Sequence, residues 1–361
     1  MIEHLKNIWN KRPLIISGPC SAETEAQVLK TATDLAASNK IDVLRAGIWK
    51  PRTKPGLFEG IGTIGLTWLA QAKAITGLPT TVEVATAQHV EEALKHGVDI
   101  LWIGARTTVN PFSVQEVADV LKGVDIPVLV KNPINPDLEL WSGALERLQK
   151  VGLQDVGMIH RGFSSYGNTE YRNAPMWHLA IEMKMRYPEL LMICDPSHIC
   201  GNRVLLQDVA QKSIDLDFGG LMIESHIDPD NAWSDAKQQI TPETLSKMID
   251  NLIWRVKSEQ DEATELSLLR ERVDQVDDEL LLLLSRRMKI ADKIGSYKKD
   301  NNLTILQTER WNQILKRALD KSASLQLSKT FITKYFDAVH LESIQHQNSI
   351  MNDMGKKLNE L

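Results

Sequence analysis

The chain has 361 residues, 43% hydrophobic and 25% charged, with a net charge of −5. That length accommodates one barrel-sized domain plus a smaller one, and the charge balance argues against a nucleic-acid or polybasic membrane surface, leaving small molecules as the expected partners. No apolar run approaches the roughly 18 residues that a bilayer requires, MIEHLKNIWNKR lacks a signal-peptide core, and three cysteines in a long chain suit a reducing compartment, so a cytoplasmic enzyme with no disulfide framework is expected.

In chain order, short β-rich runs occur at 14–20, 43–47, 80–85, 100–104, 127–132, 156–161, 191–196 and 220–225. Between them lie segments of helical periodicity such as EAQVLKTATDLAAS, AQHVEEALKHG, SVQEVADVL, LELWSGALERLQKVG and APMWHLAIEMKM. Strands alternating with helices in this way predict an α/β domain, a (β/α)8 TIM barrel over residues 1–255; an open doubly wound sheet is the alternative on pattern alone. A barrel gathers the C-terminal ends of its strands on one face, so unusual polar residues should follow the strands. Cys20, Arg45, Glu83, Arg106, Lys131, Arg161, His198 and Glu224 do so in order.

Two chemistries emerge from that series. Cys20, His198, Glu224 and Asp235 are metal-ligand residue types, and an imidazole with carboxylates and a thiolate suits a divalent cation left open to a substrate oxygen. A histidine and two acids spread over such a stretch also occur by chance, and the mixed set leaves the metal open among Mn, Co, Fe and Zn. Arg45, Lys50, Arg106, Lys131 and Arg161, with Arg52 and Lys54 in WKPRTKPG, put cations on the same mouth. Singly each is an ordinary solvated charge; together they repel one another unless anions bind, so one multiply charged substrate or two are expected. Cys194 reads as a small buried hydrophobe, Cys200 has no evident role, and His160, His178 and His226 read as structural or solvated.

The motifs GPCSAE, LRAGIWKPRTKPG, IGARTT, LVKNP, MIHRG, DPSHICGNR, GLMIESH and WSDAKQQITPE resemble those of 3-deoxy-D-arabino-heptulosonate 7-phosphate (DAHP) synthases of the shorter, type I-beta branch. That resemblance implies condensation of phosphoenolpyruvate with erythrose 4-phosphate and release of phosphate, at the start of the shikimate pathway. By it, Cys20, His198, Glu224 and Asp235 are the metal ligands, and Arg106 and Arg161 hold the phosphoenolpyruvate phosphate. Lys131, Arg45 and Lys50 surround its carboxylate, and Arg52 and Thr53 clamp erythrose 4-phosphate, while Glu83 receives no role. Lys131 is the candidate for proton transfer, in crowded cationic surroundings expected to favour a neutral amine. Members of the family often carry an N-terminal regulatory extension, and here only about a dozen residues precede the first strand, so feedback control is expected elsewhere in the chain.

After Trp254 the composition changes. Residues 256–263 read as a linker, and 264–361 read as a separate all-helical domain. LSLLRERVDQVDDELLLLLSRRMKIADKIGSYKKD predicts one long amphipathic helix, TERWNQILKRALDKSASL a second and SKTFITKYFDAVHLESIQHQNSIM a third. So thin a core predicts pairing with another copy, a homodimer or higher homo-oligomer. LLRERVDQVDDELLLLLSRR, GSYK, ILQTERW and ESIQHQ resemble the all-helical chorismate mutases. That implies Arg270, Arg287, Lys298, Arg310, Ser343 and Gln347 as active-site residues, with Arg270 reaching into the partner's site and no cofactor for the rearrangement of chorismate to prephenate. Lys298 and Gln347 would donate to the ether oxygen that gains negative charge. Two positions depart from that family's pattern: Trp311 and Gln307 stand where acidic residues are common, which bears on recognition of the substrate's ring hydroxyl. Prephenate or chorismate bound near Arg270, Arg287 and Lys298 is expected to feed back on the barrel. A 3-deoxy-octulosonate 8-phosphate synthase is the nearest alternative for the barrel, disfavoured by KPRT at 50–53; a non-catalytic sensor or an assembly module is the alternative for the tail.

Overall fold

Eight aliphatic runs form short parallel strands: β1 Leu14–Gly18, β2 Val43–Arg45, β3 Thr80–Val84, β4 Ile100–Ile103, β5 Val128–Lys131, β6 Val156–His160, β7 Leu191–Cys194 and β8 Gly220–Glu224. They pair in sequence order and close, with β8 against β1 from Leu14↔Gly220 to Gly18↔Glu224. Closure settles the choice between barrel and open sheet. Every strand residue is buried apart from the partly exposed Glu83, which is why these runs read as continuous apolar stretches rather than alternating ones. The structure, a computed structural model, describes residues 2–50, 56, 58–166, 170–255 and 264–352. Arg52, Thr53, Lys54 and the stretch 256–263 read as a linker lie outside the described residues.

The surrounding helices are α1 Ile2–Asn10, α2 Glu25–Ala37, α3 Ile64–Thr76, α4 Ala87–Lys95, α5 Ala105–Thr108 and α6 Pro111–Val120. They continue with α7 Leu138–Lys150, α8 Trp177–Arg186, α9 Pro196–Cys200, α10 Leu206–Asp215 and α11 Pro242–Asp250. Several begin at side-chain caps: the oxygens of Thr24, Thr86, Asn110, Asp137 and Thr241 accept from backbone N–H groups of the first turn, satisfying donors that the helix leaves unpaired.

Two apolar layers result. One lies between strands and helices; the other fills the barrel and includes Leu14, Ile16, Ile100, Trp102, Leu129, Ile193 and Met222. Trp9 of α1 joins the interior layer, set against Gly157 near the start of β6. MIEHLKNIWNKR reads only as a polar N-terminus; its residues Ile2–Asn10 form a helix that presents one tryptophan to the barrel end opposite the strand C-termini. The strands are also shorter than the runs that announce them, because the residues just past each strand turn out to form the mouth.

The chain divides into two compact units, Met1–Lys257 and Ser258–Leu361. The second contains α12 Thr264–Asp300, α13 Thr308–Ser322 and α14 Lys329–Met351. Ser328 caps α14 by accepting from Phe331 N. Among the described residues no helix is long and apolar enough to cross a membrane.

Candidate active sites

The barrel mouth is assembled from strand ends that only closure brings together. Gly18 ends β1 with φ +147°, and a Cβ there would lie 2.0 Å from the Arg45 carbonyl oxygen, so the glycine allows β1 and β2 to approach and sets Cys20 beside Arg45. Arg45 is 2% exposed; its Nη2 lies 3.3 Å from Glu224 Oε1 and 3.4 Å from the Cys20 carbonyl oxygen. The guanidinium carbon stands 4.9 Å from the centre of the Trp102 ring, and Lys131 Nζ stands 5.7 Å from it. Glu83 accepts from Trp102 Nε1 at 3.0 Å, which gives this carboxylate the place that the sequence left unassigned.

Lys131 donates to Asp195 Oδ2 at 2.7 Å, and both side chains are buried. This corrects the expectation of purely cationic surroundings: a buried carboxylate faces the amine. Asp195 is held well below the usual carboxylate range although burial alone would raise it, because His198 and Lys131 lie against it. Its Oδ1 accepts from His198 N at 3.1 Å, capping α9, and its Oδ2 lies 2.8 Å from His198 Nδ1.

The four residues singled out as metal ligands come together as two pairs. Cys20 Sγ lies 3.2 Å from Asp235 Oδ2, and His198 Nε2 lies 3.8 Å from Glu224 Oε1. Among the described residues no three histidines, cysteines or acids converge closely enough to hold an ion as they stand. Instead the Lys50 ammonium lies 2.6 Å from Cys20 Sγ and 3.8 Å from Asp235 Oδ2. Burial, with Glu224 nearby, pushes the Cys20 thiol up to about 12 against the pull of Lys50. Asp235 is held well below the usual range: burial opposes this, and Lys50 and Arg172 overcome it. Glu224 is likewise lowered, against burial, by His198, Arg45 and Lys50, and its Oε1 is buried without a hydrogen bond. A buried thiol and an acid that now share an ammonium, with a second acid and an imidazole beside them, fit a divalent cation chemically.

Arg161 completes the mouth. Its guanidinium is lowered to about 10, chiefly by burial, with Arg172 and Arg106 adding repulsion against the attraction of Asp195. No carboxylate among the described residues forms an ion pair with it, so this corner of the mouth favours a bound anion. Arg106, on α5, is exposed nearby. The expected repulsion is felt at Arg161, whereas Arg45, Lys50 and Lys131 each face an acid.

Besides Asp195, three residues that sequence reasoning missed hold the ligand candidates in place. Arg172 donates to Asp235 Oδ1 at 3.0 Å and Gln238 Oε1 at 2.8 Å; Gln238 Nε2 donates to Glu224 Oε2 at 2.7 Å. Gln239 accepts from Cys20 N at 2.9 Å. Asp195 was visible within CDPSH, directly before a proline at a helix start, and that capping pattern could have flagged it. The glutamines carry no comparable signal. Cys194 and Cys200 are buried in the outer apolar layer, and His226 is a structural residue, 3.3 Å from Glu23 and accepting from Asp228 N. His178 is exposed.

In the second unit a cavity of about 600 Å³ is lined by Arg287, Lys298, Arg310, Ser343 and Gln347, together with Gln307, Trp311 and His340. Arg287 donates to Ser343 Oγ and, at 3.3 Å, to the Val339 carbonyl. Lys298 donates to Gln347 Oε1 at 2.9 Å, while Gln347 Nε2 donates back to the Ser343 carbonyl at 3.1 Å. Five of the six residues expected there meet in one pocket; Arg270, exposed on α12, does not line it.

Residues 6–262 match the family profile described as the DAHP synthetase I family, and residues 269–348 match the one described as chorismate mutase type II. A phospho-2-dehydro-3-deoxyheptonate aldolase of Thermotoga maritima is 27% identical over 238 residues, 66% of this chain and 68% of that protein. A 2-dehydro-3-deoxyphosphooctonate aldolase of Caulobacter vibrioides is 26% identical over 265 residues, 66% of this chain and 86% of its own length. The crystal structure of the Thermotoga maritima DAHP synthase superposes with a TM-score of 0.61 at 27% identity, covering 67% of this chain and 68% of that one.

His160, at the end of β6, belongs to neither site. It is buried among the rings of Phe163, Trp177 and Phe218, and burial lowers it from the ordinary 6.5 to about 3. Between those values the unfolded chain binds a proton that the folded chain refuses, so this residue makes stability rise with pH across that window, by at most about 1.4 kcal/mol per pH unit. Urea unfolding of His160→Asn from pH 4.5 to 7 should show a flatter dependence than the wild type; an unchanged slope would mean that His160 is protonated in the folded barrel.

Proposed function

The chain belongs to the DAHP synthetase I family and carries a chorismate mutase type II domain, and on that premise we propose how its residues divide two reactions of the shikimate pathway. The barrel condenses phosphoenolpyruvate with erythrose 4-phosphate to DAHP and phosphate, and the helical unit rearranges chorismate to prephenate. The observation that carries the synthase reading is the barrel mouth, where Arg106 and Arg161 lie beside a buried thiol and acid cluster.

Arg106 and Arg161 bind the phosphoenolpyruvate phosphate; Arg45, Lys50 and Lys131 orient its carboxylate. Arg52 and Thr53 take the phosphate of erythrose 4-phosphate. Holding two anions in reacting register lowers the entropy lost in the transition state and offsets their repulsion. Lys131 Nζ holds the mobile proton, and Asp195 Oδ2, 2.7 Å away, keeps the amine pointed in one direction. A divalent ion, Mn, Co, Fe or Zn, held by Cys20, His198, Glu224 and Asp235, would polarise the aldehyde oxygen as a Lewis acid.

In the helical pocket Arg287 and Arg310 hold the carboxylates of chorismate, and Lys298 with Gln347 faces the ether oxygen. Only donors and shape are required, since a pericyclic step needs neither nucleophile nor metal. Arg270 completes the site from a second copy. Support comes from α12: Leu269, Val273, Val276, Leu280 and Leu283 recur at alternating spacings of four and three residues and are 44–59% exposed, a stripe suited to another helix of its kind. A homodimer paired along α12 follows.

Feedback of prephenate or chorismate on the barrel is the regulatory part of the proposal, supported by the joining of both activities in one chain. Chelation of the full-length protein with EDTA should abolish phosphoenolpyruvate consumption and leave chorismate consumption unchanged; synthase turnover that survives complete metal removal would sink the ligand set. Faster reaction with arabinose 5-phosphate than with erythrose 4-phosphate would move the barrel to the octulosonate branch. In initial-rate assays prephenate should lower the synthase rate several-fold, and an unchanged rate at saturating prephenate would remove the feedback.

A further inference from the structure

Resting on the mutase reading, the helical pocket presents a recognition problem of its own. Chorismate carries a ring hydroxyl, and neither Gln307 nor Trp311 supplies the acid that the family pattern places at these positions. Most polar groups of the cavity are already committed. Arg287, Lys298 and Arg310 only donate; Ser343 Oγ accepts from Arg287, Gln347 Oε1 from Lys298, and Gln313 Oε1 from Arg310.

His340 differs from these. It projects from α14 onto Trp311 of α13, with ring centroids 4.1 Å apart and planes 16° from parallel. Its Nε2 is buried and has no hydrogen-bond partner among the described residues, although the residue lines the cavity. A buried imidazole nitrogen without a partner has given up its hydrogen bond to water, which a ligand group would restore. We propose that His340, fixed by its stack on Trp311, is the specificity-determining residue that hydrogen-bonds the ring hydroxyl of chorismate through Nε2, in place of the absent acids. Burial lowers the ring below its ordinary value, with Arg287 and Lys298 on α12 adding to this and Asp337 on its own helix opposing; Arg310 on α13 also lines the cavity. A neutral imidazole can accept from or donate to a hydroxyl, so the tautomer adapts to the ligand. The same stack explains why a tryptophan is tolerated beside Arg310: its face becomes the support for the group that replaces the acid.

The experiment compares chorismate with its analogue lacking the ring hydroxyl, using full-length wild type, His340→Leu, His340→Gln and Gln307→Leu. Both kcat/KM and calorimetric affinity are measured for each ligand. Loss of one such hydrogen bond corresponds to roughly tenfold. Wild type should prefer chorismate by at least that factor. His340→Leu should lose about tenfold on chorismate and change little on the deoxy analogue, so that the preference collapses; His340→Gln should restore part of it. Retained helical circular dichroism and an unchanged thermal midpoint of the helical unit report that each variant is folded. Equal loss on both ligands, no loss on either, or a collapse that appears in Gln307→Leu instead would overturn the assignment. If wild type binds chorismate without converting it, the mutase reading fails on its own, and the ratio of affinities still decides the role of His340.

Discussion

Buried charge must be balanced, and the barrel mouth is arranged around that requirement. Arg45 faces Glu224 at 3.3 Å, Lys131 faces Asp195 at 2.7 Å, and Lys50 faces Asp235 at 3.8 Å. Desolvating such groups costs several kcal/mol each, and removal of one partner from a buried pair typically costs about 3–5 kcal/mol. The fold meets the requirement by position. Each cation stands at or just past the end of a strand, and only closure of β8 onto β1 sets Glu224 opposite Arg45. Trp102 gives Arg45 and Lys131 one aromatic face, with Glu83 fixing the indole edge. What remains after this balancing is chemically informative. Arg161 feels the repulsion of neighbouring arginines, and Cys20 and Asp235 share one ammonium beside Glu224, so one corner of the mouth suits an anion and the other a more highly charged cation.

The helical unit solves a different problem with the same economy of groups. Its pocket is rich in donors whose bonds are satisfied locally until a ligand arrives: Arg287 on Ser343 and the Val339 carbonyl, Lys298 on Gln347. These contacts hold long side chains in place before binding, so less rotamer freedom is lost when the ligand is bound. An exposed apolar stripe runs along α12, and Arg270 stands outside the pocket.

Much of this was legible in the sequence because buried parallel strands leave an unmistakable trace. All eight were readable as short β-rich runs, and the residues after them pointed to one face as soon as a barrel was assumed. The contacts between those residues were not readable. Asp195 was overlooked in favour of His198, three positions on, because a cap and a charge partner look alike in one dimension. Lys131 was judged by its cationic neighbours in a list, whereas in space its nearest group is a carboxylate. Gln238 and Gln239 act through hydrogen bonds to Glu224 and Cys20 across the barrel, and nothing in local sequence distinguishes them from solvent-facing glutamines. Trp311 was visible as a departure from pattern; its stacking on His340, 29 positions later in the chain, required the fold.

The central claim is that Cys20, His198, Glu224 and Asp235 form one cation site that the Lys50 ammonium now balances. The most direct measurement is a Cd²⁺ titration of chelator-stripped protein followed by ultraviolet absorption, with Cys20→Ser as the control. A saturable thiolate-to-metal charge-transfer band in the wild type, absent from the variant, is the predicted result. A band of equal intensity in both, or in neither, would contradict the site and with it the account of the barrel's charge balance.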